Sequence, residues 1–343
     1  MAGKYRKKRK RSAAKIILSV VLMAVLLGAL AVYIYADRML GLIQRPVDQE
    51  ETLSSEQIQE IENQTDPVDE SFTGSVIDPT DVIWSEESVE IIQEEHITNI
   101  LLIGQDRRPG QKRQRSDAMI LCTVNTETKT LTMTSFLRDT YVQFPEFNGK
   151  KYSANRLNVP YAIGGMEMLD DCLKLNFGIE VDHNIEVDFS GFRNVVDALG
   201  GVDMELTRSE ARHLGGGLKE GMNHLTGEQA LEYARIRKLD NDFGRTNRQR
   251  KVLMAIVEQV RTMGLTELVD LAGALIPMIT TDMENEEIIG CVKDFFPILP
   301  DLQIVTQSVP ADGEFRYAQI HGMSVLVADM EKINEKLKTT LGS

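Results

Sequence analysis

AMILCTVNTETKTLTMTSFL, residues 118–137, decides the fold. Its two apolar runs, Ala118–Asn125 and Thr130–Leu137, flank the polar TETK at 126–129. Short runs rich in β-branched residues about a tight polar turn predict a strand pair. Upstream, ITNILLIG (Ile97–Gly104) reads as a buried strand. Downstream, Met166, Leu169, Cys172, Leu173 and Phe177 stand at helical spacing, with Gly178 as the stop. HNIEVDF (183–189) alternates as a strand, SGFRNVVDALGG opens a helix at Ser190, and VDMEL (202–206) is another strand. Thr226 and Gln229 fit a capping box. A long helix then carries RTNRQRKVLMAIVEQVRTMG to Gly264. Strands LQIVTQSV and SVLVA and a helix from Asp329 complete the chain. The interleaving predicts an α/β (α+β) class: a central mixed β-sheet covered by helices. Residues 265–343 carry no motif of their own and are expected to complete that sheet and its cover.

The N-terminal end indicates where the chain resides. Residues 1–15 hold eight basic residues before any acid, and 16–36 are 21 residues without a charge. As a helix that run is about 32 Å long, enough to cross a bilayer. The flanking charge predicts a single-pass anchor, N-terminus cytoplasmic and the remainder outside the cell membrane. A cleaved signal peptide ending near Ala29–Ala31 is the rival, but the run exceeds the usual h-region. Residues 37–95 hold 17 acids against two arginines and read as an acidic flexible tether with a short helix near SSEQIQEIENQ. Residues 96–343 remain for one extracellular domain. Three cysteines exclude a disulfide scaffold, a Cys122–Cys172 bridge being the one alternative to buried thiols, and the five histidines show no metal-ligand spacing.

The chemistry gathers at element ends. IGQDRR puts Asp106 just past a strand. RSDAMI leads into the next strand with Arg115 and Asp117, and SFLRDTYV leaves a third with Arg138 and Asp139. YARIRKLDNDFGRTNRQRK (Tyr233–Lys251) holds seven basic residues and two acids in a chain of net charge −14. Two carboxylates at neighbouring strand ends suit a hard divalent cation completed by phosphate oxygens, and guanidinium forks suit those oxygens. Taken singly, each feature is equally a turn residue, a surface ion pair or a solvated helix face. Helical spacing puts Arg245 and Arg248 on one face and Arg250 about 200° round from it; if the stretch clamps an anion, Arg235, Arg237, Arg245 and Arg248 are expected to face the pocket and Arg250 and Lys251 solvent.

Together, NILLIGQDRR, RSDAMIL, SFLRDTYV, LNVPYAIGG, VDFSGFRNVVDALGGVDMEL, LTGEQALEYARIR and DFGRTNRQRKVL resemble, in order and over about 97–260, the LytR–CpsA–Psr family of cell-envelope proteins. The resemblance implies a membrane-anchored phosphotransferase. It would move an anionic glycopolymer, teichoic acid or capsular polysaccharide, from a polyprenyl-pyrophosphate carrier onto peptidoglycan, forming a phosphodiester. It assigns Asp106 and Asp117 to magnesium, or manganese in its place. Arg138, Arg235 and Arg237 become the pyrophosphate clamp with Asp139 beside it, and Asp242, Arg245, Arg248 and Gln249 match D-F-G-R-x-x-R-Q, with Arg115 near the same anion. Asp139 or Asp242 would be the base, and the lipid would lie in an apolar tunnel between sheet and helices. Departures are Gln105 for a small hydroxyl residue, Leu137 for a proline expected to stiffen its turn, Arg156 for lysine, and Asn247 and Arg250.

Two other classes compete. A polyprenyl-pyrophosphate-binding protein or pyrophosphatase would use the same residues without an acceptor. An envelope-related transcriptional attenuator would use the basic helix on DNA, but the topology sets that helix across the membrane from the genome, so no nucleic-acid partner is expected.

Overall fold

In the computed structural model, residues 38–46, 54–63, 74–84, 89–92, 94–105, 113–236, 239 and 242–342 are described. The chain divides into two compact units, Met1–Ile43 and Gln44–Ser343, and the sheets, helices and pocket belong to the second. The basic tail (1–15) and the expected span at 16–36 lie outside the described residues. Among those described, no helix is long and apolar enough to cross a membrane.

Six strands form the central sheet: β1 (Ile97–Gln105), β2 (Ser116–Asn125), β3 (Thr130–Phe136), β4 (His183–Asp188), β5 (Thr280–Thr281) and β6 (Gln303–Val309), in spatial order β5-β4-β1-β2-β3-β6. β1–β2, β2–β3 and β4–β5 pair antiparallel, β1–β4 and β3–β6 parallel, so the sheet is mixed as expected. Strand side chains alternate between faces, and the core follows that period. Leu101, Ile103, Met119 and Leu121 pack under helix α1 (Val159–Phe177) and the C-terminal helix Met330–Leu341. Leu102, Ile120, Cys122 and Met133 face the other way, toward Leu253, Met254, Val257 and Phe295. Burial on both faces explains why residues 118–125 read as continuous apolar sequence rather than as alternation.

Four further helices shape the site: α2 (Phe189–Ala198), α3 (Arg208–Leu214), α4 (Gly227–Ala234) and α5 (Asp242–Arg261). Asp188 caps α2 by accepting from the Gly191 N–H at 2.7 Å, so that helix starts one residue before the expected Ser190. Thr226 and Gln229 form the anticipated capping box of α4. Helix α1 begins at Val159, seven residues before the apolar periodicity at Met166, and is kinked at Gly165 (φ 71°). The positive φ is what calls for glycine there, since the nearest atoms a Cβ would meet belong to the flexible end of Arg113.

Three expectations change. VDMEL forms the strand Val202–Leu206, but pairs with Gly221–Leu225 in a separate hairpin. SVLVA lies in Met323–Ala328, in a second sheet with Phe315–Ile320 and Ser75–Val76, so the C-terminal region completes the central sheet only through β5 and β6. The acidic segment 37–95 is more than a solvated spacer. Its expected short helix (Ser55–Asn63) sinks Ile58 into the core, Trp84 stacks on Tyr141 at 5.8 Å, and Ser75–Val76 adds a parallel strand. A handful of apolar residues spaced along a charged segment suffices to dock it, and composition averages them away. All three cysteines are free. Cys122 lies on one face of the sheet and Cys172 in the core on the other, so the bridge does not form, and burial pushes both thiols upward, Cys122 to about 12.

One polar cluster around buried Asn184 joins α1, β4 and the segment after β5. The Asn184 amide donates to Asp170 at 2.7 Å and to Asp282 at 2.8 Å. Burial, reinforced by the negative charge of Asp282, Asp171 and Glu167 and opposed by the Asn184 bond, raises the Asp170 carboxyl from 3.8 to about 8. A raised carboxyl contributes stability that is fully present below its unfolded value and lost as pH climbs through the folded one. Wild type should therefore lose Tm relative to Asp170→Asn between about pH 4 and 8. Thermal melts of both proteins across that range check this, and a constant difference would contradict it.

Candidate functional site

β1 and β3 end, and β2 begins, on one side of the sheet. Gly104 faces Ala118 and Gln105 faces Ser116, so Asp117 is the extra residue of a β-bulge. Bulges re-aim a side chain at the end of a ladder, and Asp117 lines a pocket of about 670 Å³. Gly104 and Ala118 form its floor, and even a methyl on Gly104 would press Ala118 Cβ at 3.1 Å. Arg138, two residues past β3, donates through Nη1 to Asp117 at 2.8 Å, and its Nε lies 3.4 Å from Asp139. Buried Arg156 approaches the other Asp139 oxygen at 3.5 Å. Acid and base alternate along this edge, so each buried charge has an opposite neighbour.

The departures from the family pattern have structural partners. Gln105 is fully buried, donates to Glu186 and accepts from the Gln114 N–H at 3.1 Å, linking the end of β1 to the residues that lead into β2. Glu186 also accepts the Tyr161 hydroxyl. Leu137 uses an N–H that proline lacks, donating to Val309 O at 2.8 Å, so the turn is held to β6 rather than loosened.

The opposite wall comes from α2–α5. Glu228, Leu231, Glu232 and Arg235 form one stripe along α4 and its C-terminal cap, Phe189 opens α2, His213 lies in the last turn of α3, and Arg245 and Gln249 lie one turn apart on α5. The Arg235 guanidinium lies 4.4 Å from the Phe189 ring centroid, a cation–π contact that orients an otherwise exposed side chain. Arg245 is 4% exposed, a deeply placed charge at a pocket wall.

Of the sequence-derived site residues, Asp117, Arg235, Arg245 and Gln249 line this pocket, with Arg138 and Asp139 joined to Asp117 by ion pairs. Asp106, Arg237 and the side chain of Asp242 lie outside the described residues. Arg115 turns instead to the Ile61 carbonyl of helix Ser55–Asn63 and does not line the pocket. Arg248 also points elsewhere, into a buried pair with Glu210 at 3.0 Å. Arg250, expected in solvent, is half-buried, and burial presses its guanidinium pKa downward. The reason is that α5 is covered on two sides, by the hairpin core through Val252 and Ile256 and by the sheet through Leu253 and Val257. Asn247, Lys251 and Glu258 form its exposed stripe. Sequence reasoning missed Phe189, His213, Glu228 and Glu232. The α4 stripe of i, i+4, i+7 charges was a usable signal, whereas Phe189 and His213 had none.

Among the described residues, no three His, Cys, Asp or Glu side chains meet as a metal cage. The hard carboxylate of Asp117, opening onto the arginine wall, fits an ion of the magnesium type, which takes one or two protein carboxylates and fills its shell with phosphate oxygens and water.

The chain as a whole resembles known proteins. Residues 50–341 match the model of the LytR_cpsA_psr family. The polyisoprenyl-teichoic acid–peptidoglycan teichoic acid transferase TagU of Bacillus cereus is 32% identical over 260 residues, covering 74% of this chain and 82% of the relative. Among solved structures, TagT bound to LI-WTA superposes with a TM-score of 0.60 at 25% identity, over 76% of this chain and 98% of that one. TagV of B. subtilis gives 0.59 at 27% identity, over 73% and 98%.

A charge-assisted contact to phosphate is worth on the order of 1.5–3 kcal/mol, roughly ten- to a hundredfold in affinity. Arg245→Ala and Arg235→Ala should weaken inorganic pyrophosphate binding by that factor, and Asn247→Ala by no more than about twofold. Isothermal titration in magnesium buffer measures all three, and equal small losses would reduce the wall to a diffuse basic surface.

Proposed function

The chain belongs to the LytR–CpsA–Psr family, and from that premise we propose that it is a membrane-anchored phosphotransferase of the cell envelope. It moves an anionic glycopolymer, a teichoic acid or capsular polysaccharide, from a polyprenyl-pyrophosphate carrier onto peptidoglycan. The observation that carries this reading is the pocket at the sheet end, where Asp117 on its bulge faces Arg235, Arg245 and Gln249. A pyrophosphate brings several negative oxygens into one small volume, which this array of fixed guanidinium groups beside a metal-type carboxylate is suited to hold. The name of the Bacillus cereus relative supports the choice of polymer and acceptor.

In this reading Arg235 and Arg245 neutralise and orient the pyrophosphate, and Gln249 hydrogen-bonds its oxygens. Arg138, held between Asp117 and Asp139, supplies a guanidinium that cannot swing away from the sheet edge. Asp117 and Asp106 would hold magnesium, which supplies further charge neutralisation to the phosphate oxygens. A sugar hydroxyl of peptidoglycan attacks the phosphorus that bears the glycopolymer. The new P–O bond forms as the bond to the bridging oxygen breaks, and the lipid phosphate leaves. The hydroxyl proton passes to a carboxylate, Asp139 or Asp242. Positioning and charge stabilisation account for most catalysis in such transfers. Leu102, Met254, Val257, Phe295 and Ile304 form a partly buried apolar layer against the sheet, an environment suited to a polyprenyl tail.

The test uses the full chain in detergent with a polyprenyl-pyrophosphate-linked glycopolymer and peptidoglycan strands, measuring polymer bound to glycan and lipid phosphate released. Both should appear in equal amounts, stop on chelation and return with magnesium, with Arg245→Ala at least about tenfold slower. Lipid phosphate without glycan-bound polymer would make the protein a pyrophosphatase and sink the transfer reading.

A further inference from the structure

We propose that Glu210 and Arg248 are positioning residues for the arginine wall: their buried ion pair fixes Arg235 at the end of α4 relative to Arg245 and Gln249 on α5. This inference rests on the transferase reading and names the device that holds its anion site in register.

The geometry is specific. Arg248 lies on α5 between Arg245 and Gln249, but its side chain is only 5% exposed and turns away from the pocket. Its Nε donates to Glu210 Oε1 at 3.0 Å, and its Nη1 donates to the main-chain carbonyl of Ile236 at 3.0 Å. Ile236 directly follows Arg235, and its own side chain is anchored in the hairpin core beside Tyr233 and Val252. The guanidinium therefore grips the peptide that carries a pocket arginine, where the chain leaves α4. Glu210 is itself immobilised. It is the N3 residue of the α3 capping box, and its Oε2 accepts from the Thr207 N–H and hydroxyl, both at 2.9 Å. Burial works against the Glu210 anion, but the Thr207 bonds and Arg248 outweigh it and hold the carboxyl below its usual range. His213, one turn further along α3, lines the pocket. One fork thus ties together three elements of the same wall: α3, the end of α4, and α5.

The arrangement suits guanidinium alone. Two donors in a rigid plane reach a carboxylate and a carbonyl at once, whereas an ammonium delivers its charge to one point. A carboxylate at Glu210 would be a poor direct ligand for an anion, so any loss of anion binding on changing it is indirect, and the double variant with Arg248 shows whether it acts through that arginine or through the α3 cap. That separates positioning from direct contact.

Glu210→Gln is the principal test, because glutamine also serves at N3 of a capping box and leaves the arginine in place. With the full chain in detergent and magnesium, the Kd for inorganic pyrophosphate should rise about tenfold while circular dichroism stays native. Arg248→Met should cost at least as much, Arg248→Lys should recover only part, and the double variant Glu210→Gln/Arg248→Met should be no worse than Arg248→Met alone. In the transfer assay the effect should fall on KM for the lipid-linked donor rather than on kcat, which a merely structural role would not produce. Should Arg248→Met fail to fold, Glu210→Gln and Arg248→Lys carry the comparison. A folded Glu210→Gln with wild-type affinity overturns the proposal. Loss at Arg248 with none at Glu210 also overturns it and makes Arg248 a direct ligand. If wild type binds no pyrophosphate, the transferase reading falls and this inference with it.

Discussion

A single extra residue at the end of one ladder organises the site. β1 and β2 run in strict register until Gly104 and Ala118, then skip Asp117 before resuming at Gln105 and Ser116. The skip turns a carboxylate out of the pleat at the point where β1 and β3 also end. Without it, Asp117 would fall into the alternation of β2 and lose its place beside Arg138. The floor under it must be small, and Gly104 and Ala118 meet that need at the cost of strand propensity.

Around this point the molecule meets one recurring problem: charges that chemistry wants close together must be kept from destabilising the fold. Arg138 and Asp139 sit at 10% and 17% side-chain exposure, and Arg156 at 3%, each within ion-pair reach of an opposite charge. Breaking any such pair would strand a buried charge, which is far more costly than the pair itself is stabilising. The arginines therefore come in two kinds. Some open onto the pocket, and others, Arg156 and Arg248, are consumed in holding neighbours still. Identical side chains a few residues apart serve opposite purposes because one faces a cavity and the other a carboxylate.

The acidic segment before the domain illustrates the limits of averages. Its net charge argues for solvation, and most of its side chains are polar. Yet Ile58, Val82, Trp84 and Ile92 are spaced so that each finds an apolar hollow on the domain. Arg115, taken for an anion ligand, instead holds the carbonyl of Ile61 and so helps to seat that segment.

The class and order of the elements were legible in the residues alone, because burial imposes period 2 on strands and 3.6 on helices wherever one face is covered. So was the family, since the motifs occur in order with suitable spacing, and those motifs placed Asp117, Arg138, Asp139, Arg235, Arg245 and Gln249 in one neighbourhood. Which strands share a sheet was settled by the folded chain. Val202–Leu206 and Met323–Ala328 look like central-sheet strands locally, and pairing depends on partners distant in the chain. Folding also settled the fate of Arg115, Arg248 and Arg250. Helical angle tells which residues share a face of α5, but not what each face meets, and α5 is covered on two sides at once. Phe189 and His213 were illegible for the same reason: a residue becomes part of a pocket through neighbours that long-range packing brings to it.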